Sequence, residues 1–223
     1  MAKINLDTEP RFKALMKELG FKKTKGGFVM IHNEACMSLS FSYATQNEKF
    51  VRYYYGSFSI NYPKLIETAD KINEFIYGPN GHIGYLMPKG RYVDWRLAEN
   101  DSDDYYVNMI HEIVDAENKY VLPYLEKIST IRSFVDSVET GTMRFSFDRK
   151  AIPIAYLVLG EKEKALRYID NHLDKLAHND KIGRPPEIVV GEDYVKEIYY
   201  PQENTALRDY QEFAKKFKTV LLV

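Results

Sequence analysis

His111 and Asp115 stand four residues apart with Glu112 between them, a spacing that would put an imidazole and a carboxylate on one helix face and could hold one edge of a metal site. A zinc-protease helix needs a second histidine where Asp115 stands, so these residues read as a solvated helix face. His32, His82, His172 and His178 have no partner at ligating spacing. Gly56-Ser57-Phe58-Ser59 lacks the second glycine of a nucleophile elbow, and neither Gly26-Gly27 nor residues 78–84 carry a phosphate-cradling pattern. Cys36 has no base beside it in sequence and reads as a small residue of the interior. These patterns predict no catalytic residue, no metal and no cofactor.

What remains is a set suited to recognition: Arg52, Tyr53, Tyr55, Asn61, Arg91, Trp95 and Arg96. Arginine beside Tyr and Trp combines large contact area with directional hydrogen bonds, the composition that recurs at interaction hot spots. If these side chains share an uncovered sheet face, that face could receive another protein or a small ligand. An enzymatic alternative would assemble a site from distant polar residues, with Arg52, His82, Arg91 and Asp94 as its contributors.

Two stretches must position this set. Residues 37–44 alternate Met37, Leu39, Phe41, Tyr43 with Ser38, Ser40, Ser42, Ala44, which predicts a half-buried strand. Residues 50–62 predict a second strand, with Tyr54, Phe58, Ile60 and Tyr62 on one side and Ser57, Ser59 and Asn61 on the other. Residues 45–49 close a hairpin between them. The odd residues of the first strand then share a face with the even residues of the second, with Phe41 near Tyr54. Gly56 marks where a bulge would be cheapest.

Around this hairpin the spacing predicts helices over residues 10–19, closed by Gly20, and over 63–77, opened by Pro63. Residues 28–31 form a first strand. Residues 83–87 and 92–97 form two short extended runs in a hairpin-like arrangement about Pro88-Lys89-Gly90. A long helix starts near Asp101 and ends or kinks at Pro123, and a further helix runs to Gly141. Residues 151–159 and 161–176 read as two helices about Gly160, residues 179–186 as a polar Pro-containing stretch, and 205–217 as a last helix. The fold class is α+β: an antiparallel, aromatic-rich sheet covered by helices on one side, then an α-helical C-terminal section, with a boundary near Gly141 separating residues 1–140 from 141–223.

Lys and Arg number 31 against 32 Asp and Glu, so no global field favours nucleic acid. No apolar run approaches the roughly 20 residues of a spanning helix, and Met1 to Asp7 lacks the regions of a signal peptide. A single cysteine suits a reducing cytoplasm.

The order Leu19-Gly20-Phe21-Lys22-Lys23, Phe58-Ser59-Ile60-Asn61, Arg91, Trp95-Arg96-Leu97 and Leu122-Pro123-Tyr124-Leu125 resembles the bacterial domain of unknown function 4304 family over about residues 10–140. The resemblance implies a bacterial intracellular protein and lends no activity, cofactor or catalytic residue. Some small bacterial domains of this style sit beside contact-dependent toxins as immunity proteins, and by that association an immunity-like partner of a toxin is one form of the expected role. Separately, Ala155 to Leu173 resembles one tetratricopeptide helical hairpin. Stable solenoids need about three such units, so it reads as a single hairpin packed on the rest of the chain. The sequence therefore predicts a non-catalytic binding protein.

Overall fold

A computed structural model describes residues 6, 9–45, 50–88, 92–190 and 195–221. Its core is the hairpin of β3 (Ala35–Ala44) and β4 (Val51–Asn61), whose closing residues 46–49 lie outside the described set. In register, Leu39 faces Phe58, Met37 faces Ile60 and Tyr43 faces Tyr54, and all but the half-exposed Tyr43 are buried. Phe41 sits opposite Gly56 rather than Tyr54. No bulge interrupts β4 there. A Cβ on Gly56 would lie 2.1 Å from the Ile83 side chain and 2.9 Å from the Phe41 ring, so glycine is present to leave room for those two groups.

Among the described residues four further strands extend this hairpin into an antiparallel sheet. A short β1 (Lys22–Thr24), not anticipated from the sequence, pairs with β2 (Gly27–His32), which pairs with β3. β5 (Asn80–His82) and β6 (Trp95–Ala98) both add to β4, the first along Ser57–Ser59 and the second along Val51–Tyr54. The expected hairpin between residues 83–87 and 92–97 is therefore absent: Ile83–Tyr85 form a 3-10 turn, and the long β4 offers both short strands a better partner than each other. Pro88 to Gly90 falls partly outside the described residues.

Helices cover one face of this sheet. α1 (Pro10–Glu18) sets Phe12 edge-on to Phe28 and Phe41, at 5.4 and 5.0 Å between centroids. It ends in a Schellman motif, with the Gly20 and Phe21 amides donating to the carbonyls of Lys17 and Met16 and Gly20 at φ 92°. α2 (Pro63–Asp70) stops earlier than its spacing predicts, because Asn73 adopts a left-handed φ of 52°. α3 (Asp103–Ala116) is capped by the Ser102 hydroxyl, which accepts from the Tyr105 amide. α5 (Ile131–Glu139) opens with a Thr130/Ser133 capping box and stacks Phe134 on Tyr62 at 5.1 Å.

Beyond it, α6 (Ala151–Val158) and α7 (Lys162–Ala177) form the expected hairpin about Gly160, followed by a two-stranded ribbon of β7 (Glu187–Val190) and β8 (Val195–Ile198), and by α8 (Thr205–Leu221). The ribbon had no counterpart in the sequence reading. One cluster of buried residues runs from Leu6 to Phe217, and the ammonium groups of Lys150 and Lys216 both reach Glu74, at 2.7 and 2.6 Å. An antiparallel sheet followed by helices makes the fold α+β.

Between α3 and α4 (Leu122–Lys127) the chain makes a π-helical turn, Glu117–Val121, in which the Leu122 amide donates to the Glu117 carbonyl five residues back. Pro123 has no amide hydrogen to continue an α-helical ladder, which is a cause of such widening. Glu117 is fully buried and neither carboxyl oxygen has a partner among the described residues. Burial alone raises its pKa to about 8 from the usual 4.5. Between those values the unfolded chain has released a proton that the folded chain keeps, so this group makes stability fall as pH rises from about 4.5 and level off above about 8. Glu117→Gln is expected to flatten that fall and to raise the melting temperature at pH 8, measured by circular dichroism between pH 5 and 9. A variant whose melting temperature follows the parent at every pH contradicts the assignment.

Candidate functional site: the open face of the sheet

Because paired residues of an antiparallel sheet share a side, the register places each candidate. Tyr53 pairs with Arg96, Tyr55 with Ser42 and Asn61 with Cys36, all on the face that no described helix covers. Ser38 pairs with Ser59 and Ser40 with Ser57, and β5 extends the rows with Asn80 beside Ser59 and His82 beside Ser57. The result is a hydroxyl-lined depression of about 390 Å³ that also includes Gly26 and Gly81. Ile31, two strands from Asn61 on the same side, is 76% exposed.

Two candidates lie elsewhere. Arg52 pairs with Leu97 and so shares the helix-covered side with Tyr54, where its guanidinium lies 4.8 Å from the centre of the Tyr43 ring. Trp95 pairs with Tyr54 and is buried. Both corrections have one origin: in β4, Val51, Tyr53 and Tyr55 are as apolar as their even-numbered neighbours, so period-2 reasoning cannot choose a side there. Arg91 lies outside the described residues. Arg96 remains, its guanidinium 3.8 Å from the Asp101 carboxylate. Asn61 is engaged as well, its Oδ1 accepting from the Gly78 amide at 3.2 Å.

One end of the face carries an aromatic group that sequence spacing could not assemble. The His82 ring lies 4.1 Å from Tyr92, 6.0 Å from Tyr85 and 6.2 Å from Tyr55, centroid to centroid. Its Nδ1 accepts from the Gly84 amide at 3.0 Å, which assigns the proton of the neutral ring to Nε2, and Nε2 is buried without a partner among the described residues. Burial pushes the His82 pKa below its usual 6.5, and Asp94 partly offsets this. The enzymatic set is not assembled, since Arg52 and His82 are on opposite sides of the sheet. Tyr85 and Tyr92 come from segments whose only signal was a pair of tyrosines near Gly and Pro.

Cys36 also lies on the open face, half-buried, with its thiol pKa raised by burial, which keeps it protonated and a poor nucleophile. His111, Glu112 and Asp115 are exposed on α3. Among the described residues no group of three or more His, Cys, Asp or Glu could hold a metal ion, and no helix is long and apolar enough to cross a membrane. No family model, curated protein or solved structure matches the chain.

The His82 environment is open to measurement by NMR. Its imidazole is expected to titrate below 6.5, and Asp94→Asn, by removing the offsetting charge, is expected to lower the value further. A base whose folded pKa is depressed makes stability fall as pH drops through 6.5. Titration at or above 6.5, or indifference to Asp94→Asn, contradicts this description.

Proposed function

We propose that this protein is a non-catalytic binding module that recognises another protein through the open face of its sheet. The observation that carries the reading is one-sided coverage: aromatic side chains of α1, α4 and α5 pack on one face, while the other leaves Ile31 76% and Tyr92 48% exposed beside rows of serine. Tyrosine supplies rigid contact area at small entropic cost, and serine, asparagine and glycine supply adaptable hydrogen bonding. Tyr53, Tyr55, Tyr85, Tyr92, Asn80 and the four paired serines give the face that composition. A toxin neutralised by an immunity-like mechanism is one form such a partner could take, and a toxin reading frame beside the gene would favour it.

A photo-crosslinking residue placed at Ser57 or at Ile31 tests the reading in cells of the source organism, with Glu112 and Asp115 on the outer side of α3 as control positions. The expected result is one discrete protein joined at the sheet positions only, whose binding to the purified chain is lost in Ser57→Arg and kept in Asp115→Arg. Crosslinks confined to the α3 positions, or binding unaffected by Ser57→Arg, would overturn it.

A further inference from the structure

At the edge of the same sheet lies a cleft of about 500 Å³, lined by Asn80, Gly81, Tyr85, Arg144, Phe145 and Ser146. That volume is within the range of small-molecule sites, roughly 300–1,000 Å³. Its construction is specific. The Asn80 amide donates to the Ser146 carbonyl at 3.0 Å, which seats residues 144–146 alongside β5. Phe145 is held edge-on by Phe58 at 4.8 Å and Tyr124 at 5.2 Å. It lies over Gly81, where a Cβ would come within 2.4 Å of the ring, so any side chain at 81 would displace this wall. Tyr85 lines the cleft as a second aromatic wall, edge-on to the His82 ring at 6.0 Å between centroids.

The polar groups of the cleft have one sign. Arg144 is exposed, and among the described residues it makes no ion pair and no carboxylate lines the cleft. The Asn80 Nδ2 is occupied by the carbonyls of Gly78 and Ser146, at 3.2 and 3.3 Å. This leaves the Arg144 guanidinium and the Ser146 hydroxyl as donors toward a ligand. A planar guanidinium matches a carboxylate or a phosphate with two parallel hydrogen bonds. Two aromatic walls select a flat apolar body.

We propose that this cleft binds an aromatic oxyanion, a ring against Tyr85 and Phe145 with a carboxylate or phosphate on Arg144. The site stands on its own observations and does not need the protein-docking reading. It is tested on the 223-residue chain by following the backbone amide signals of Gly81 and residues 144–146 during titration with 3-phenylpropionate, phenyl phosphate, 3-phenylpropionamide, phenethylamine and acetate. The two aromatic anions are expected to give saturable shifts with a dissociation constant on the order of 1 mM, as fits ligands of this size. Which of the two binds tighter tells carboxylate from phosphate. The amide and acetate are expected to bind about 10-fold weaker or less, and the amine not at all. Arg144→Ala should lose about 10-fold in affinity and Arg144→Lys less, with melting temperatures unchanged because Arg144 is exposed. Absence of saturable shifts by about 20 mM of either anion, equal response to the amine, or full binding by Arg144→Ala overturns the proposal. None of those results would alter crosslinking from Ser57 or Ile31, so the two readings fail separately.

Discussion

The constraint on which everything else rests is the pairing of β3 with β4 in a register that sends the bulky side chains of their shared face, Tyr43 excepted, under one layer of helices. A slip of β4 by one residue would exchange Phe58 and Ile60 for Ser57 and Ser59 opposite Leu39 and Met37 at the core. Burying one such apolar side chain contributes roughly 1.5–3 kcal/mol, so the alternative register would forfeit a large part of the roughly 5–15 kcal/mol by which domains are stable. The open face is the other half of the same fact. Serines can line it because they are the alternate residues of strands whose apolar residues face the helices.

The remainder of the sheet follows from the length of β4. Its eleven residues outrun what β3 needs for a hairpin partner alone, and its far edge is shared by two short strands, β5 near the middle and β6 near the start. Ile83, just past β5, fills the space that Gly56 vacates. The turn that follows brings Gly84 to the His82 Nδ1, while Tyr85 and Tyr92 close over that ring. The aromatic end of the open face is thus a consequence of how β5 is seated. Residues 144–146 attach to the outer side of β5 in turn, so the Arg144 cleft depends on the same strand.

The legible parts were those whose signal is local. Alternation over residues 37–44 located β3 and its faces, and Gly20 and Gly160 marked helix ends that the backbone closes at those residues. Long-range choices were not legible. β5 and β6 look like two arms of one hairpin until β4 is seen to outcompete each as the other's partner. β1, β7 and β8 are three or four residues long, too short for periodicity to register. Arg52 and Trp95 were misplaced because β4 is apolar on both sides in its first half. Glu117 illustrates the reverse: an acid in a helical stretch suggests solvent, yet the π turn and the core around it leave the carboxyl dry. The candidate site was legible as a face, through its serines and tyrosines 53 and 55, and not as a cluster, since Tyr85 and Tyr92 join it only through tertiary pairing.

Single cysteines introduced on the two sides of the β3–β4 pair, in a Cys36→Ala background, report on the one-sided sheet most directly. With a maleimide under native conditions, Ser40→Cys and Ser57→Cys are predicted to react at rates near those of the unfolded chain, and Leu39→Cys and Ile60→Cys only as fast as the whole domain unfolds. Comparable rates on both sides, or faster labelling at 39 and 60, would contradict the register and, with it, the open face.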